Sequence, residues 1–470
     1  MEISIKSEIT RFYDFLNQED NTNIIFSGKF GIGKTYFINK FFEKHKDEFT
    51  YLYLSPVNYS IASNEDIFEY IKVDILLQLF EKTTVNLESV DYKFTDAALC
   101  YLRNNSDSFF QSLFEKVSVI ANFAFENEFT IASKMISNFF SFKQKVEQFV
   151  ETQNVSDNEN MVKFFQSISN KKGSLFEYDI ISQLIVRIIN NIKENGVNKP
   201  IILVIDDLDR IDPEHIFRIL NILSAHNNHC LTDKHKFGID KTILVCDIIN
   251  IRNIYKAKYG MNVDFNGYID KFYSKEVFHY NNLENIIKEV SSIMLSMKSD
   301  YENDLKDVQT FSYKSCYALL SASLKNDTLN LRTLLKIQEK NYNNNRNIKI
   351  NRQAYLINDF ISLSVFDFLK TIFSSINDLE ESIDKTTPKD IVGFEEYISV
   401  CFIALADYEK SKFKSGTFQF TDNIEYTLQN PYYPDVLNNT HDFWEKNKER
   451  LSPIELLKAA FKNYKEYFYI

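Results

Sequence analysis

Short runs of apolar residues mark the strands that the sequence predicts. Five successive apolar residues at Ile201–Ile205 are typical of a central parallel strand that is covered on both faces. Further short, largely apolar runs at Asn23–Ser27, Tyr51–Leu54, Thr242–Cys246 and Val277–Tyr280 also predict strands. The pattern therefore predicts an α/β fold with a parallel sheet.

Apolar residues at helical spacing predict helices through most of the remaining chain. Few glycines and prolines, 10 and 7 among 470 residues, also favour a mostly helical protein. The predicted helices fall within residues 1–22, 36–46, 66–80, 176–193, 214–224, 251–259, 283–340 and 354–470. The asparagine-rich residues 341–352 are predicted to form a linker or an exposed loop.

The interval between the second and third predicted strands is long and has a helical pattern. We interpret it as an inserted helical region, because structureless loops of such length are rare in compact domains. The predicted organisation is a core in two parts (1–85 and 196–285), a helical insertion (86–195), a helical lid (286–345) and a C-terminal helical domain (346–470).

Charge and cysteine content narrow the class of protein. The net charge of −11 argues against non-specific binding along nucleic acid. A nucleic-acid partner is possible but has no support in the sequence. The five scattered cysteines form no disulfide framework, which favours a reducing cytosol. The N-terminus lacks an apolar signal core, and no apolar run reaches about 18 residues without a charge. We therefore expect a cytoplasmic protein without a membrane span.

Residues 28–35 read Gly-Lys-Phe-Gly-Ile-Gly-Lys-Thr and match the phosphate-binding loop, between a predicted strand and a predicted helix. Backbone N–H groups of such a loop bind a triphosphate together with the N-terminus of the next helix, and glycines let the backbone approach closely. We expect a solvent-facing Lys34 to reach the β- and γ-phosphates, and the Thr35 hydroxyl to ligate Mg²⁺. The residues predicted to contact nucleotide are Gly28, Phe30, Gly31, Ile32, Gly33, Lys34, Thr35 and Tyr36.

Two carboxylates, Asp206 and Asp207, end the central predicted strand, where a parallel strand faces its ligand. Since Asp206 directly follows the apolar run, we assign it to Mg²⁺ and assign Asp207 to the attacking water. Successive side chains of a strand point to opposite faces, so the chain must turn here if both carboxylates serve one site. Arg210 either acts on phosphate or pairs with Asp207 or Glu214.

With these motifs the sequence resembles the KAP family of P-loop NTPases, which is related to STAND and AAA+ proteins. The likeness covers roughly residues 1–345 and rests on Gly28–Thr35, on Val204–Glu214 as a Walker B signature, on Leu244–Asp247 with the later Lys258–Gly260 and Tyr268–Phe272, and on Asn330–Arg332. The family usually has tryptophan in place of Phe30 and proline in place of Leu331. Many members carry transmembrane helices in the insertion, whereas this sequence predicts none.

The resemblance implies sensor roles beside the γ-phosphate for Asp247 and Arg332. The residues themselves leave a second interpretation open for each, since Asp247 is also placed to cap the next helix and Arg332 to be a surface arginine. The resemblance also implies a role in bacterial conflict systems such as phage exclusion, an association that the residues do not test.

Four residues of metal-binding type, His226, His229, Cys230 and His235, lie close together in the sequence. Their spacing matches no usual zinc site, so a polar loop after a helix is the favoured interpretation.

The sequence as a whole predicts an enzyme that hydrolyses ATP with Mg²⁺. ATP is favoured over GTP because no Asn-Lys-X-Asp motif follows the carboxylate strand. The alternative is a nucleotide-gated switch or scaffold with negligible turnover. In either case we expect a protein partner or a homo-oligomer.

Overall fold

The computed structural model describes residues 3–59, 67–82, 111, 113–115, 117, 140, 143–144, 180–195, 199–227, 235, 237–298, 304–338, 342, 346–350, 352–429 and 435–469. The chain forms two compact units. The sheet unit comprises Lys6–Lys29 and Lys34–Asn281, and the helical unit comprises Met1–Ile5, Phe30–Gly33 and Asn282–Ile470. Most of the predicted insertion lies outside the described residues.

The sheet unit contains a five-stranded parallel sheet with strand order β2-β3-β4-β1-β5. Its strands are β1 (Asn23–Ser27), β2 (Thr50–Leu54), β3 (Ile201–Ile205), β4 (Lys241–Cys246) and β5 (Phe278–His279). Its described helices are α1 (Lys6–Leu16), α2 (Lys34–Lys44), α3 (Ile67–Lys82), α4 (Ile180–Asn195), α5 (Pro213–Asn227), α6 (Ile248–Tyr259) and α7 (Phe265–Ile269). The predicted α/β fold with a parallel sheet is therefore confirmed.

Burial explains why these apolar runs become strands. All five residues of β3 are buried, as expected for a strand covered on both faces. On β1, the Phe26 ring lies 5.1 Å from that of Phe12 in α1 and 5.3 Å from that of Phe37 in α2. Burying a phenylalanine contributes about 1.5–3 kcal/mol, so this aromatic cluster holds both helices on the sheet.

The carboxyl ends of three adjacent strands place the motif residues at one edge of the sheet. β4 lies between β1 and β3, with Ser27 of β1 paired with Cys246 and Ile205 of β3 paired with Leu244. The phosphate-binding loop, the paired carboxylates and Asp247 each follow directly after one of these strands. The crevice outside the carboxyl ends of parallel strands is where open α/β sheets bind ligands.

The described residues of the helical unit are mostly helical, as predicted, and also form two β-hairpins. Its helices are α8 (Leu283–Leu295), α9 (Phe311–Lys325), α10 (Leu331–Leu335), α11 (Ile361–Ile372), α12 (Ile376–Lys385), α13 (Glu395–Ala406), α14 (Tyr408–Ser411), α15 (Thr440–Asn447) and α16 (Pro453–Tyr467). The hairpins pair β6 (Asn347–Ile350) with β7 (Gln353–Leu356), and β8 (Gly416–Thr421) with β9 (Ile424–Leu428).

The predicted linker or exposed loop at residues 341–352 is wrong over the part that forms β6. Ile348 and Ile350 are buried there while Asn347 and Lys349 are exposed, which is the alternation of a half-buried strand. The prediction was wrong because the high asparagine content favours a loop, and the apolar alternation at residues 347–350 is only four residues long.

α13 carries two glutamates in its first turn, but from Ile398 to Leu405 it has no charged residue and every residue is buried. It packs against α16 in the helical unit, which explains why a helix without a polar face is stable here. Among the helices that the structure describes, none has both the length and the apolar character required to cross a membrane.

Candidate functional site

The phosphate-binding loop adopts backbone conformations that only glycine takes easily. Gly31 and Gly33 have φ angles of +76° and +95°. The Gly28 N–H donates to the Cys246 carbonyl at 3.1 Å, which joins the end of β1 to the end of β4. A Cβ at Gly28 would lie 3.1 Å from the Tyr280 carbonyl oxygen. The positive φ angles therefore favour glycine at positions 31 and 33, and a side chain at Gly28 would press on the Tyr280 carbonyl.

Lys34 does not face solvent, so that expectation is wrong. Its side chain is buried, with 8% of the residue exposed, and its ammonium donates to the carbonyls of Gly28 at 2.8 Å and Lys29 at 3.3 Å. The ammonium thus closes the loop on itself, because carbonyl oxygens within reach satisfy its donors.

Thr35 and Asp206 come together although they are far apart in the sequence. The Thr35 hydroxyl donates to Asp206 Oδ2 at 2.6 Å. The Tyr53 hydroxyl of β2 donates to the same oxygen at 2.7 Å, and the Asp207 N–H donates to Asp206 Oδ1 at 2.7 Å. Both carboxylate oxygens are therefore held by donors from three different segments of the sheet unit.

Asp206 is completely buried. Burial raises the pKa of its carboxyl group, and the hydrogen bonds from Thr35 and Tyr53 act in the opposite direction. Burial and the neighbouring charge of Asp206 also raise the pKa of the Tyr53 phenol, which keeps this hydroxyl a donor.

The chain turns at Asp207, as the alternation of side chains along a strand requires if both carboxylates are to serve one site. Its φ and ψ angles are 54° and 30°, in the left-handed region, and a short 3₁₀ helix follows at Leu208–Arg210. Asp207 Oδ2 accepts a hydrogen bond from Arg210 Nη1 at 2.9 Å. Of the two interpretations of Arg210, the structure contains the pairing with Asp207.

Asp247 caps α6. Its Oδ1 accepts from the N–H groups of Ile249 at 3.0 Å and Asn250 at 3.4 Å. Its own N–H donates to Asp209 Oδ2 at 3.2 Å. The capping interpretation thus describes an observed contact, and the sensor role of Asp247 stays a prediction.

Arg332 belongs to the helical unit and lies at the N-terminus of α10. Its guanidinium carbon is 6.0 Å from the centre of the Phe30 ring, a cation–π distance. The preceding Asn330 caps α10 by accepting from the Thr333 N–H at 3.0 Å. The arginine is exposed, and its role as a second sensor stays a prediction.

Gly31 leaves no room for a side chain beside Asn330. A Cβ at Gly31 would lie 2.8 Å from Asn330 Cβ. We expect Gly31→Ala to lower the melting temperature, because a left-handed alanine costs about 1–2 kcal/mol and the clash adds to it. Gly393→Ala is the matched control, since Gly393 has φ +83° with nothing within 4 Å of its added Cβ. Equal losses in calorimetric scans of the two variants would show that the Asn330 contact is unimportant.

The oxygen atoms of Thr35 and Asp206 fit Mg²⁺, a hard cation that in nucleotide sites takes one or two carboxylates with phosphates and water. Within the described part of the chain, no three His, Cys, Asp or Glu residues are grouped to hold a metal by themselves. Of the histidine and cysteine group, His229 and Cys230 lie outside the described residues. Burial lowers the pKa of His235 to about 4, and its Nδ1 accepts from the Phe237 N–H at 3.2 Å.

Sequence reasoning missed Tyr53 and Asp209. The carboxylate of Asp209 lies beside the Asp247 N–H, and the residue belongs to the acidic run that the motif already contains. Tyr53 had no local signal, because its role depends on β2 lying next to β3 in the sheet.

A family model described as the KAP family P-loop domain matches residues 5–352 of the chain. No curated protein matches it. The matched residues include the phosphate-binding loop, both carboxylates of β3 and the segment with Asn330 and Arg332.

Proposed function

Because the chain belongs to the KAP family of P-loop NTPases, we propose that it binds ATP with Mg²⁺ and hydrolyses it. The observation that best supports this is the hydrogen bond of 2.6 Å between the Thr35 hydroxyl and Asp206. A hydroxyl from the phosphate-binding loop and a carboxylate at the end of another strand of the same sheet are the two protein groups that hold Mg²⁺ in P-loop sites.

The binding step is assigned to the loop and the start of α2. Backbone N–H groups over residues 28–36 and the N-terminus of α2 would contact the phosphates, and the Lys34 ammonium would exchange loop carbonyls for phosphate oxygens. Thr35 and Asp206 would hold the metal. Mg²⁺, when bound, would neutralise charge on the β- and γ-phosphate oxygens.

The hydrolytic step is assigned to Asp207. Its left-handed backbone turns the side chain out of the regular strand alternation. Its carboxylate is partly exposed, with 27% of the side chain accessible, so water can reach it. It would orient the attacking water and accept its proton. Sensor contacts of Asp247 and Arg332 with the γ-phosphate complete the proposal.

The test is to measure ATP binding by calorimetry and phosphate release at steady state, each with Mg²⁺ and with EDTA. We expect binding that Mg²⁺ strengthens and phosphate release that EDTA abolishes. Binding without release would replace the enzyme by the nucleotide-gated switch or scaffold. A chain that binds no nucleotide under either condition would overturn both functions.

The biological setting is a further part of the proposal. The family resemblance favours an ATPase of a bacterial conflict or phage-defence system, acting with a protein partner or as a homo-oligomer. A cytoplasmic location is proposed from the scattered cysteines and the absence of an apolar signal core in the sequence. The domain division into a two-part core, insertion, lid and C-terminal domain is proposed from the hydrophobic pattern along the chain. Native mass measurements with and without an ATP analogue would test the assembly.

A further inference from the structure

Asp206 Oδ2 accepts hydrogen bonds from two hydroxyl groups that lie far apart in the sequence. Thr35, which follows the phosphate-binding loop, donates at 2.6 Å, and Tyr53 of β2 donates at 2.7 Å. Thr35 already has a place in the proposed metal site. Tyr53 has none, although it contacts the same oxygen and belongs to the same compact unit.

Tyr53 is itself fixed by a side chain of α3. Among the described strands of the sheet, β2 lies at the edge and pairs with β3 on one side. On its open side, the Gln78 amide makes two bonds with the Tyr53 backbone: the Tyr53 N–H donates to Oε1 at 2.8 Å, and Nε2 donates to the Tyr53 carbonyl at 2.6 Å. This pairing satisfies the Tyr53 backbone groups on the side away from β3 and fixes the position from which the tyrosine side chain extends.

Gln78 is held in turn by a buried carboxylate on its own helix. Gln78 Nε2 also donates to Asp74 Oδ1 at 2.8 Å, and the Tyr59 hydroxyl donates to Asp74 Oδ2. Asp74 and Tyr59 are both buried. Buried polar groups that are mutually satisfied form rigid arrangements, because breaking one bond leaves a partner unpaired.

We propose that Tyr53 is a positioning residue of the metal site: its hydroxyl orients the Asp206 carboxylate for Mg²⁺, and Gln78 of α3 fixes Tyr53 for this task. The inference rests on the proposed function, because it assigns Asp206 to the metal. Hydrogen-bond partners of metal-site carboxylates act through orientation, and removing one lowers metal affinity about 10–100-fold.

The first test is Tyr53→Phe, which removes the hydroxyl and keeps the ring. Mn²⁺ replaces Mg²⁺ as a paramagnetic probe, and its affinity is measured by electron paramagnetic resonance with a non-hydrolysable ATP analogue present. We expect Mn²⁺ affinity to fall about 10–100-fold. Analogue affinity in EDTA should stay at the parental value, because Tyr53 acts only through the metal carboxylate. A general defect of the fold would change both quantities.

Tyr51→Phe is the matched control. Tyr51 lies two residues earlier on the same strand, and its ring stacks on Phe42 with centroids 4.5 Å apart. We expect parental Mn²⁺ affinity in this variant. An equal loss in both variants would mean that any hydroxyl lost from β2 disturbs the site, and would overturn the assignment of Tyr53.

Gln78→Met tests the part played by α3, and decides the matter if Tyr53→Phe does not fold. Methionine keeps the length of the side chain and removes both bonds to the Tyr53 backbone. We expect a fall in Mn²⁺ affinity in the same direction as for Tyr53→Phe. Parental affinity in Gln78→Met would overturn the role of α3 and, where Tyr53→Phe does not fold, the whole inference. Parental affinity in a folded Tyr53→Phe would overturn the whole inference by itself. A parental protein that binds neither analogue nor Mn²⁺ would instead refute the proposed function.

Discussion

Asp207→Asn should leave ATP binding intact and lower turnover on the order of 10²–10⁴-fold, the range for lost general-base help. Asparagine keeps the shape of the side chain and removes its charge and most of its ability to accept a proton. It also tolerates the left-handed backbone that Asp207 adopts, with φ 54°, so the turn should persist. The measurement is steady-state phosphate release beside ATP affinity by calorimetry.

The Arg210 ion pair offers a competing explanation that a second variant removes. Asp207→Asn weakens the bond of 2.9 Å from Arg210, and both side chains are partly exposed. Exposed pairs contribute about 0–1 kcal/mol, too little for the expected loss of turnover. Arg210→Gln breaks the same pair and keeps the carboxylate. A loss of turnover in Arg210→Gln with ATP affinity unchanged would show that turnover depends on the ion pair and not on the Asp207 carboxylate alone.

Asp212→Asn is the control for the change of residue type. Asp212 is exposed and accepts from the Glu214 N–H at 2.8 Å at the start of α5, a position where asparagine caps equally well. We expect parental turnover in this variant. Parental turnover in Asp207→Asn itself would show that the catalytic assignment is wrong.

The fold could be predicted where local pattern and burial agree. β3 is one such place, because five apolar residues in succession leave a strand covered on both faces as the simplest structure. The turn at Asp207 is another, since alternation along a strand cannot bring two adjacent carboxylates to one side. In both cases the deciding information lies within a few residues of the element.

The candidate site could be predicted only as far as its motifs reach. The motifs do not indicate the order of the strands in the sheet. Tyr53 forms its hydrogen bond with Asp206 only because β2 pairs with β3. The position of the Lys34 ammonium could not be predicted either, because the carbonyls it contacts belong to a loop whose curvature comes from positive φ angles. The motifs therefore identify the residues of the candidate site, and the structure is needed for the contacts between elements that position them.

The burial of Lys34 changes what its removal should do. Its ammonium donates to the Gly28 carbonyl at 2.8 Å, and the aliphatic stem lies against Gly28, where an added Cβ would be 3.3 Å from Lys34 Cγ and Cδ. Alanine would therefore remove both a phosphate-binding cation and a contact that holds the loop closed. Lys34→Met separates these effects, because methionine keeps much of the stem and lacks the charge.

We expect Lys34→Ala and Lys34→Met both to lower ATP affinity at least tenfold, about 1.4 kcal/mol, because each lacks the cation. Turnover should fall on the order of 10²–10³-fold, the loss found when one preorganised donor to a developing charge is removed. Both variants lose the hydrogen bonds from the ammonium to the loop carbonyls, and Lys34→Ala should lower the melting temperature further than Lys34→Met, because it also loses the stem that packs on Gly28. Lys40→Ala is the control, since Lys40 lies on the same helix and pairs at the surface with Glu43 at 2.9 Å. Parental ATP affinity in Lys34→Met would mean that the ammonium serves the loop alone, and the assignment of residues 28–35 to phosphate would fail.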